Sequence, residues 1–298
     1  MKSTFFLTLL VCVFITACGD SDSQVENNEM SVSLQQEWEV IGLGNPESVI
    51  YDKDTNLLYV SNVIGSPFDK DGKGTISTVT LDGKIVEEAW IVGLNSPKGL
   101  AISNGKLYTA DVDTLVEIDI NSRLITNYYV ASDVKMLNDV TASDDGSVYV
   151  TGMMTNRIFK LADGKFELWL ESTDLETPNG ILAEGKRLII GSWGNMTDGF
   201  ATAIPGHLKE IDVETKKIAS LGDASPVGNL DAVESDGDNN YYVTDWMGGK
   251  LYLISPNGKA KELLAIEQGT ADIDVLLDKK MLFLPLMNSN RLLAYKIK

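Results

Sequence analysis

Four short stretches carry an oxygen-bearing side chain at the same point of a recurring pattern: PESV at Pro46, LNDV at Leu137, PNGI at Pro178 and LDAV at Leu230. Their second residues are Glu47, Asn138, Asn179 and Asp231. Carboxylates and amides gathered in this proportion suit a hard cation such as Ca²⁺, which takes about six to eight oxygens at roughly 2.3–2.6 Å. The same residue types also cap turns by bonding their own backbone, and composition and spacing leave the two readings level. Cys12 and Cys18 are the only cysteines and His207 the only histidine, which argues against a zinc site built from sulfur and imidazole.

The elements that must position these residues follow from the repeat itself. Two further copies, PKGL at Pro97 and a fainter DIDV at Asp272, add Lys98 and Ile273, and the six positions are spaced by 51, 40, 41, 52 and 42 residues. Each copy precedes a β-branched, aromatic run between Gly, Asp and Asn turns (LLYVSN, KLYTAD, SVYVTG, RLIIGS, YYVTD, MLFLPL), the pattern of short strands. The one stretch with some helical character, GKAKELLAIEQG, sits where a strand is due. Repeats of about 40–50 residues with four strands each predict an all-β, six-bladed β-propeller. EWEVIGLGNPES at Glu37 copies EAWIVGLNSPKG at Glu88. Glu37–Ile41 is therefore expected to pair beside Leu292–Ile297 and close the ring, leaving no open edge.

In a propeller the first strand of each blade lines the central channel, so the six positions should converge at one mouth. Two long loops, Val63–Gly74 and Trp193–His207, return to that mouth. They are expected to wall a pocket with Trp193, a substrate-binding candidate, together with Phe200 and Trp246; the alternative is that these rings wedge between blades. His207 heads a strand and reads as a loop residue. No Ser-His-Asp arrangement is suggested.

The ends and the charge bound the rest. Residues 1–17 read as a lipoprotein signal peptide, Cys18 as the lipidated residue after a lipobox, 18–34 as a flexible tether and 35–298 as the propeller. That predicts a lipoprotein of the bacterial envelope, held on a membrane by its N-terminal lipid. A net charge of −18 argues against nucleic acid, whose phosphates need a basic face. The expected partner is a small-molecule substrate, and the expected state a monomer.

NPESV, LNDVTASDDGSVYVTG, PNGILAEGKRLIIGS and LDAVESDGDNNYYVTD resemble, in order and roughly in spacing, the successive motifs of the senescence marker protein/gluconolactonase (regucalcin-like) family. The resemblance covers nearly all of 35–298. It implies one divalent metal in the channel, bound by Glu47, Asn179 and Asp231, with Ca²⁺ first and Mg²⁺, Mn²⁺ or Zn²⁺ as alternatives. It also implies that Asn138 contacts substrate or completes the metal shell, and that Asp231 is the general base in hydrolysis of lactones or related esters. Two departures weaken the sugar-lactone part: Met136 stands where the lactonases usually carry an Arg, and Leu230-Asp231-Ala232 replaces the usual Pro-Asp-Gly. The rival expectations are a non-catalytic ligand- or protein-binding propeller with a structural cation, and a strictosidine-synthase-like enzyme working around a channel Glu.

Overall fold

The computed structural model describes Met1 and residues 32–298. The signal segment after Met1, Cys18 and most of the tether therefore lie outside the described residues. Within 32–298 the chain forms six four-stranded antiparallel sheets, the six blades. Their innermost strands are Pro46–Asp52, Pro97–Ser103, Leu137–Ala142, Pro178–Glu184, Leu230–Ser235 and Asp274–Leu276. GKAKELLAIEQG holds the strand Ala260–Ala265 rather than a helix. Among the described residues no helix is long and apolar enough to cross a membrane.

The burial of each strand explains its composition. Second strands such as Leu57–Asn62 (LLYVSN) are covered on both faces by neighbouring blades and are buried almost throughout. Outer strands such as Leu124–Val130 meet solvent and carry polar residues. The core accordingly lies between blades. Tyr59, Ile76 and Trp90 of blade one pack on Leu100, Leu107 and Val116 of blade two, while Val49, Leu58 and Val60 pack on Phe283, Leu292 and Ala294 of blade six.

The last sheet is completed from the other end of the domain. Leu34–Ile41 pairs antiparallel with Arg291–Ile297, with Gln35 opposite Lys296 and Ile41 opposite Arg291, as the copied motif predicts. The strand begins at Leu34, and Ser33 and Lys298 exchange both backbone hydrogen bonds at 3.1 and 3.0 Å, so pairing reaches slightly beyond the residues expected to take part.

Register also corrects one alignment. Pro46 pairs with Asn62, Pro97 with Asp111, Leu137 with Gly152, Pro178 with Ser192 and Leu230 with Asp245, and each pairing is followed by the same register shift. The shift is a β-bulge, which re-aims side chains, and the residue that enters it is Glu47, Lys98, Asn138, Asn179 or Asp231. In blade six the matching pair is Thr270 with Leu286, which puts Ala271, not Ile273, at the sixth position. The acidic-apolar alternation of DIDV imitates the pattern two residues downstream of the true register. A methyl group therefore completes the ring of six.

Candidate active site at the channel mouth

Each bulge turns its second residue into the channel, so side chains from distant parts of the sequence meet. Asn179 is central. Its Nδ2 donates to Asp231 Oδ1 at 2.7 Å, and its Oδ1 accepts from Asn138 Nδ2. Its own carbonyl accepts from Thr151 Oγ1 at 2.8 Å. Glu47 completes the group, and with Lys98 these residues line one cavity of about 300 Å³.

Local sequence explains why Asn179 is followed by Gly180. A Cβ at position 180 would sit 1.8 Å from the Asp231 carbonyl oxygen. Only glycine lets blade four approach blade five closely enough for the Asn179–Asp231 contact. Just upstream, Glu176 and Thr177 have φ of +51° and +62°. A β-branched residue in the left-handed region is strained, and here it sets the entry angle of the Pro178-Asn179 bulge.

Glu47, Asn179 and Asp231, with Asn138, are the residues that could hold a divalent cation. All their donors are oxygen. Glu47 Oε2 and Asn138 Oδ1 are buried and have no hydrogen-bond partner, an expensive condition for a polar atom unless something else satisfies it. Burial, then repulsion from Asp231 and Asp272, pushes the Glu47 carboxyl well above its ordinary range, opposed by Lys98. Burial and Asp272 do the same to Asp231, opposed by the Asn179 hydrogen bond. Two buried carboxyls that resist joint ionisation fit a hard cation between them. No three His, Cys, Asp or Glu side chains gather in metal-holding geometry among the described residues, so any such shell must include the amides.

The walls of the cavity come from the two long loops and the neighbouring blade rims. Trp193, Phe200, Trp246, Met136 and Met153 face it, together with Gly65 and Pro67 from the first loop. Met136, Met153 and Trp193 are buried in one cluster against Phe200 and Trp246. Trp193 is pinned at both ends: its backbone N donates to Thr177 O at 2.9 Å and its Nε1 to Phe200 O at 2.8 Å. Lys98, 3 % exposed, is pushed down to about 8 by burial, opposed by Glu47 and Asp111.

Sequence reasoning stopped at the bulge and missed what lies below it. Asp139, Glu234, Asp272 and Asp274 line a second cavity of about 150 Å³. Burial raises all four carboxyls, helped by neighbouring acids at Asp139, Glu234 and Asp272, with Asp272 pushed to about 7 and Asp274, by burial alone, to about 6. They also tie blades together. Asp139 Oδ2 accepts from Ile181 N at 2.7 Å, Asp272 Oδ2 from Ser48 Oγ at 2.5 Å and Asp274 Oδ2 from Tyr51 N at 2.6 Å. The detectable signal was an acid at the second position after Leu137 and Thr270.

His207 is not among the residues lining the channel cavity. Its Nε2 meets Ser220 Oγ at 2.9 Å, and its Nδ1 lies 4.0 Å from Glu176 Oε2. Lys209 holds that carboxylate oxygen at 2.8 Å. The set resembles a charge-paired nucleophile only on paper, because the ammonium competes for the acid that would orient the imidazole.

Comparison with known proteins agrees with the fold. No curated protein matches in sequence. Solved structures match in fold: a gluconolactonase from Xanthomonas campestris (11 % identity, TM-score 0.64, 90 % of each chain) and a streptogramin B lyase (14 %, 0.61, 90 % of this chain and 98 % of that one). Virginiamycin B lyase from Staphylococcus aureus with quinupristin is similar too, at 14 % identity and a TM-score of 0.59 over 89 % of this chain and 99 % of that one. At such identities the likeness is one of architecture, which hosts many chemistries. The model of the SMP-30/gluconolactonase/LRE-like region matches residues 45–270, and the chain belongs to that family.

Proposed function

We propose that the protein is a divalent-cation-dependent hydrolase of lactones or related esters, working at the channel mouth. The observation that carries this reading is the pair of orphaned buried oxygens, Glu47 Oε2 and Asn138 Oδ1, facing the same cavity as Asp231. Glu47, Asn179 and Asp231 would hold the cation, Ca²⁺ being the best match to an all-oxygen set, with Asn138 facing substrate or the cation's open side. A cation bound there would polarise the ester carbonyl and stabilise the developing oxyanion.

The rest falls to the chain's own groups. Asn179 fixes Asp231 by bonding Oδ1, which leaves Oδ2 to take a proton from the attacking water. The bulges hold the donors on a rigid sheet, so little reorganisation accompanies reaction. Trp193 and Phe200 exclude bulk water from one side.

A lactone panel tests the proposal, with wild type and Asp231→Asn assayed before and after chelation and again after Ca²⁺ is restored. Expected are loss of at least about 100-fold in kcat for the variant and reversible loss on chelation. A second readout avoids dependence on the right substrate: Ca²⁺ raises the Tm of wild type and not of Glu47→Gln. Activity indifferent to both treatments would remove the mechanism. The envelope location is proposed separately from Cys18: Cys18→Ala should move the protein from the membrane to the soluble fraction, and unchanged partition would refute it.

A further inference from the structure

The cavity above Asp231 has a polar floor and an apolar wall, and most of the wall's own donors are already engaged. Lys98 is the only cationic side chain among its lining residues. Its Nζ donates to Pro67 O at 3.1 Å, Ser96 O at 2.9 Å and Ser96 Oγ at 3.2 Å. An ammonium has three donors, so none is left for a ligand carboxylate. The Trp193 indole N–H is spent on Phe200 O. Asn45 and Asn288, at the rim, each direct an amide donor to a backbone carbonyl, Met287 O at 3.2 Å and Gln268 O at 3.0 Å.

Apart from the Trp246 indole N–H and one N–H of each rim amide, what remains is aromatic and thioether surface. The Trp193 ring lies 6.0 Å from Phe200 and 6.1 Å from Trp246 between centroids. Phe68 stacks on Phe200 at 6.2 Å and 11°, so the loops of blades one and four meet beside the opening. Met136 and Met153 add polarizable surface that adapts to irregular apolar groups. A cavity of about 300 Å³ equals about ten waters at liquid volume.

We infer that this site takes a neutral lactone or ester bearing an apolar alkyl or aryl group, about ten heavy atoms in all, seated against Trp193, Phe200 and Met153. A polyhydroxylated or carboxylate-bearing sugar lactone would find too few free donors there. The inference rests on the hydrolase reading for its ester but on the wall alone for its substituent. Hydrolysis adds water across the ring C–O bond: the hydroxyl joins the acyl carbon, and the proton taken by Asp231 passes to the departing ring oxygen. The product is a hydroxy acid, anionic at neutral pH.

The test separates binding from turnover. Calorimetry with Ca²⁺-loaded protein compares two non-hydrolysable lactams, one phenyl-substituted and one polyhydroxylated. The phenyl lactam is expected to bind about 30-fold more tightly, the scale set by burying one aromatic group. Trp246→Ala and the half-buried Phe200→Ser should each lower its affinity by about tenfold, and the second keeps the test open should the first not fold. Equal or tighter binding of the polyhydroxylated lactam, or binding of neither, would overturn the inference. Turnover of γ-phenyl-γ-butyrolactone and gluconolactone is measured in parallel. Apolar-selective binding without turnover of either would leave the ligand class standing and remove the hydrolase, whereas turnover confined to gluconolactone would do the reverse.

Discussion

Replacing Gly180 with Ala tests the claim that inter-strand approach builds the site. The added Cβ would stand 1.8 Å from Asp231 O, 2.9 Å from its carbonyl carbon and 3.1 Å from Val233 Cγ2, where ordinary contact begins at 3.4 Å. The atom met first is backbone, so it cannot swing aside. Blades four and five must part locally by about 1.6 Å, stretching the 2.7 Å Asn179–Asp231 hydrogen bond beyond use. Losing a charge-assisted hydrogen bond costs about 1.5–3 kcal/mol, and overpacking costs about 1–3. We expect Gly180→Ala to lose about 3–5 kcal/mol in urea unfolding, a large share of a typical total of about 5–15. Gly152→Ala is the matched control, because its Cβ would meet Thr155 Oγ1 at 3.1 Å and only side-chain atoms after that; it should lose less than about 1.5 kcal/mol. The variant that survives should also lose the Ca²⁺-dependent rise in Tm. Equal losses at the two glycines, or a loss at Gly180 under about 1 kcal/mol, would refute the close-approach argument.

Two further outcomes follow from the same region and the channel beneath it. Thr177→Gly relieves a left-handed, β-branched residue; we expect a gain of about 1 kcal/mol in urea unfolding once glycine's extra unfolded-state entropy is subtracted, and a loss would show that Thr177 is not strained. Asp274, raised to about 6 by burial, binds a proton in the folded chain at pH values where the unfolded chain, near 3.9, has released it. Its contribution is therefore full below about 4 and lost as pH climbs through about 6. Tm measured from pH 4 to 8 should decline over that window, and Asp274→Asn should flatten part of the slope; an unchanged slope would place the proton elsewhere.

The ring was legible because five bulges repeat one register shift. A bulge needs the same turn-strand punctuation each time, and that punctuation is what the tetrapeptides record. Blade six slipped for a physical reason. Ala271 carries no polar group to mark its place, while Asp272 and Asp274 supply a false match downstream. The quartet could be collected from sequence because each member occupies one equivalent position. Its internal order, with Asn179 bridging Asn138 and Asp231, depends on sub-ångström packing that only the Gly180 contact reveals. The loops were identifiable by length, and Trp193 and Phe200 by type. Met153 was not, since its thioether faces the cavity only because the short helical turn Met153–Thr155 follows the second strand of blade three.

The pairing of Leu34–Ile41 with Arg291–Ile297 joins residues at least two hundred and fifty positions apart. Bringing such distant segments together carries a chain-entropy cost of about 5 kcal/mol, met only when the final strand docks. During synthesis, Glu47, Asn138, Asn179 and Asp231 will all have left the ribosome while the circle is still a horseshoe, its two raw margins ready to seek any strand at hand. The latch therefore governs when the molecule becomes competent as well as how firmly it holds, and a nascent chain stalled before Arg291 is the form most exposed to swapping strands with a neighbour.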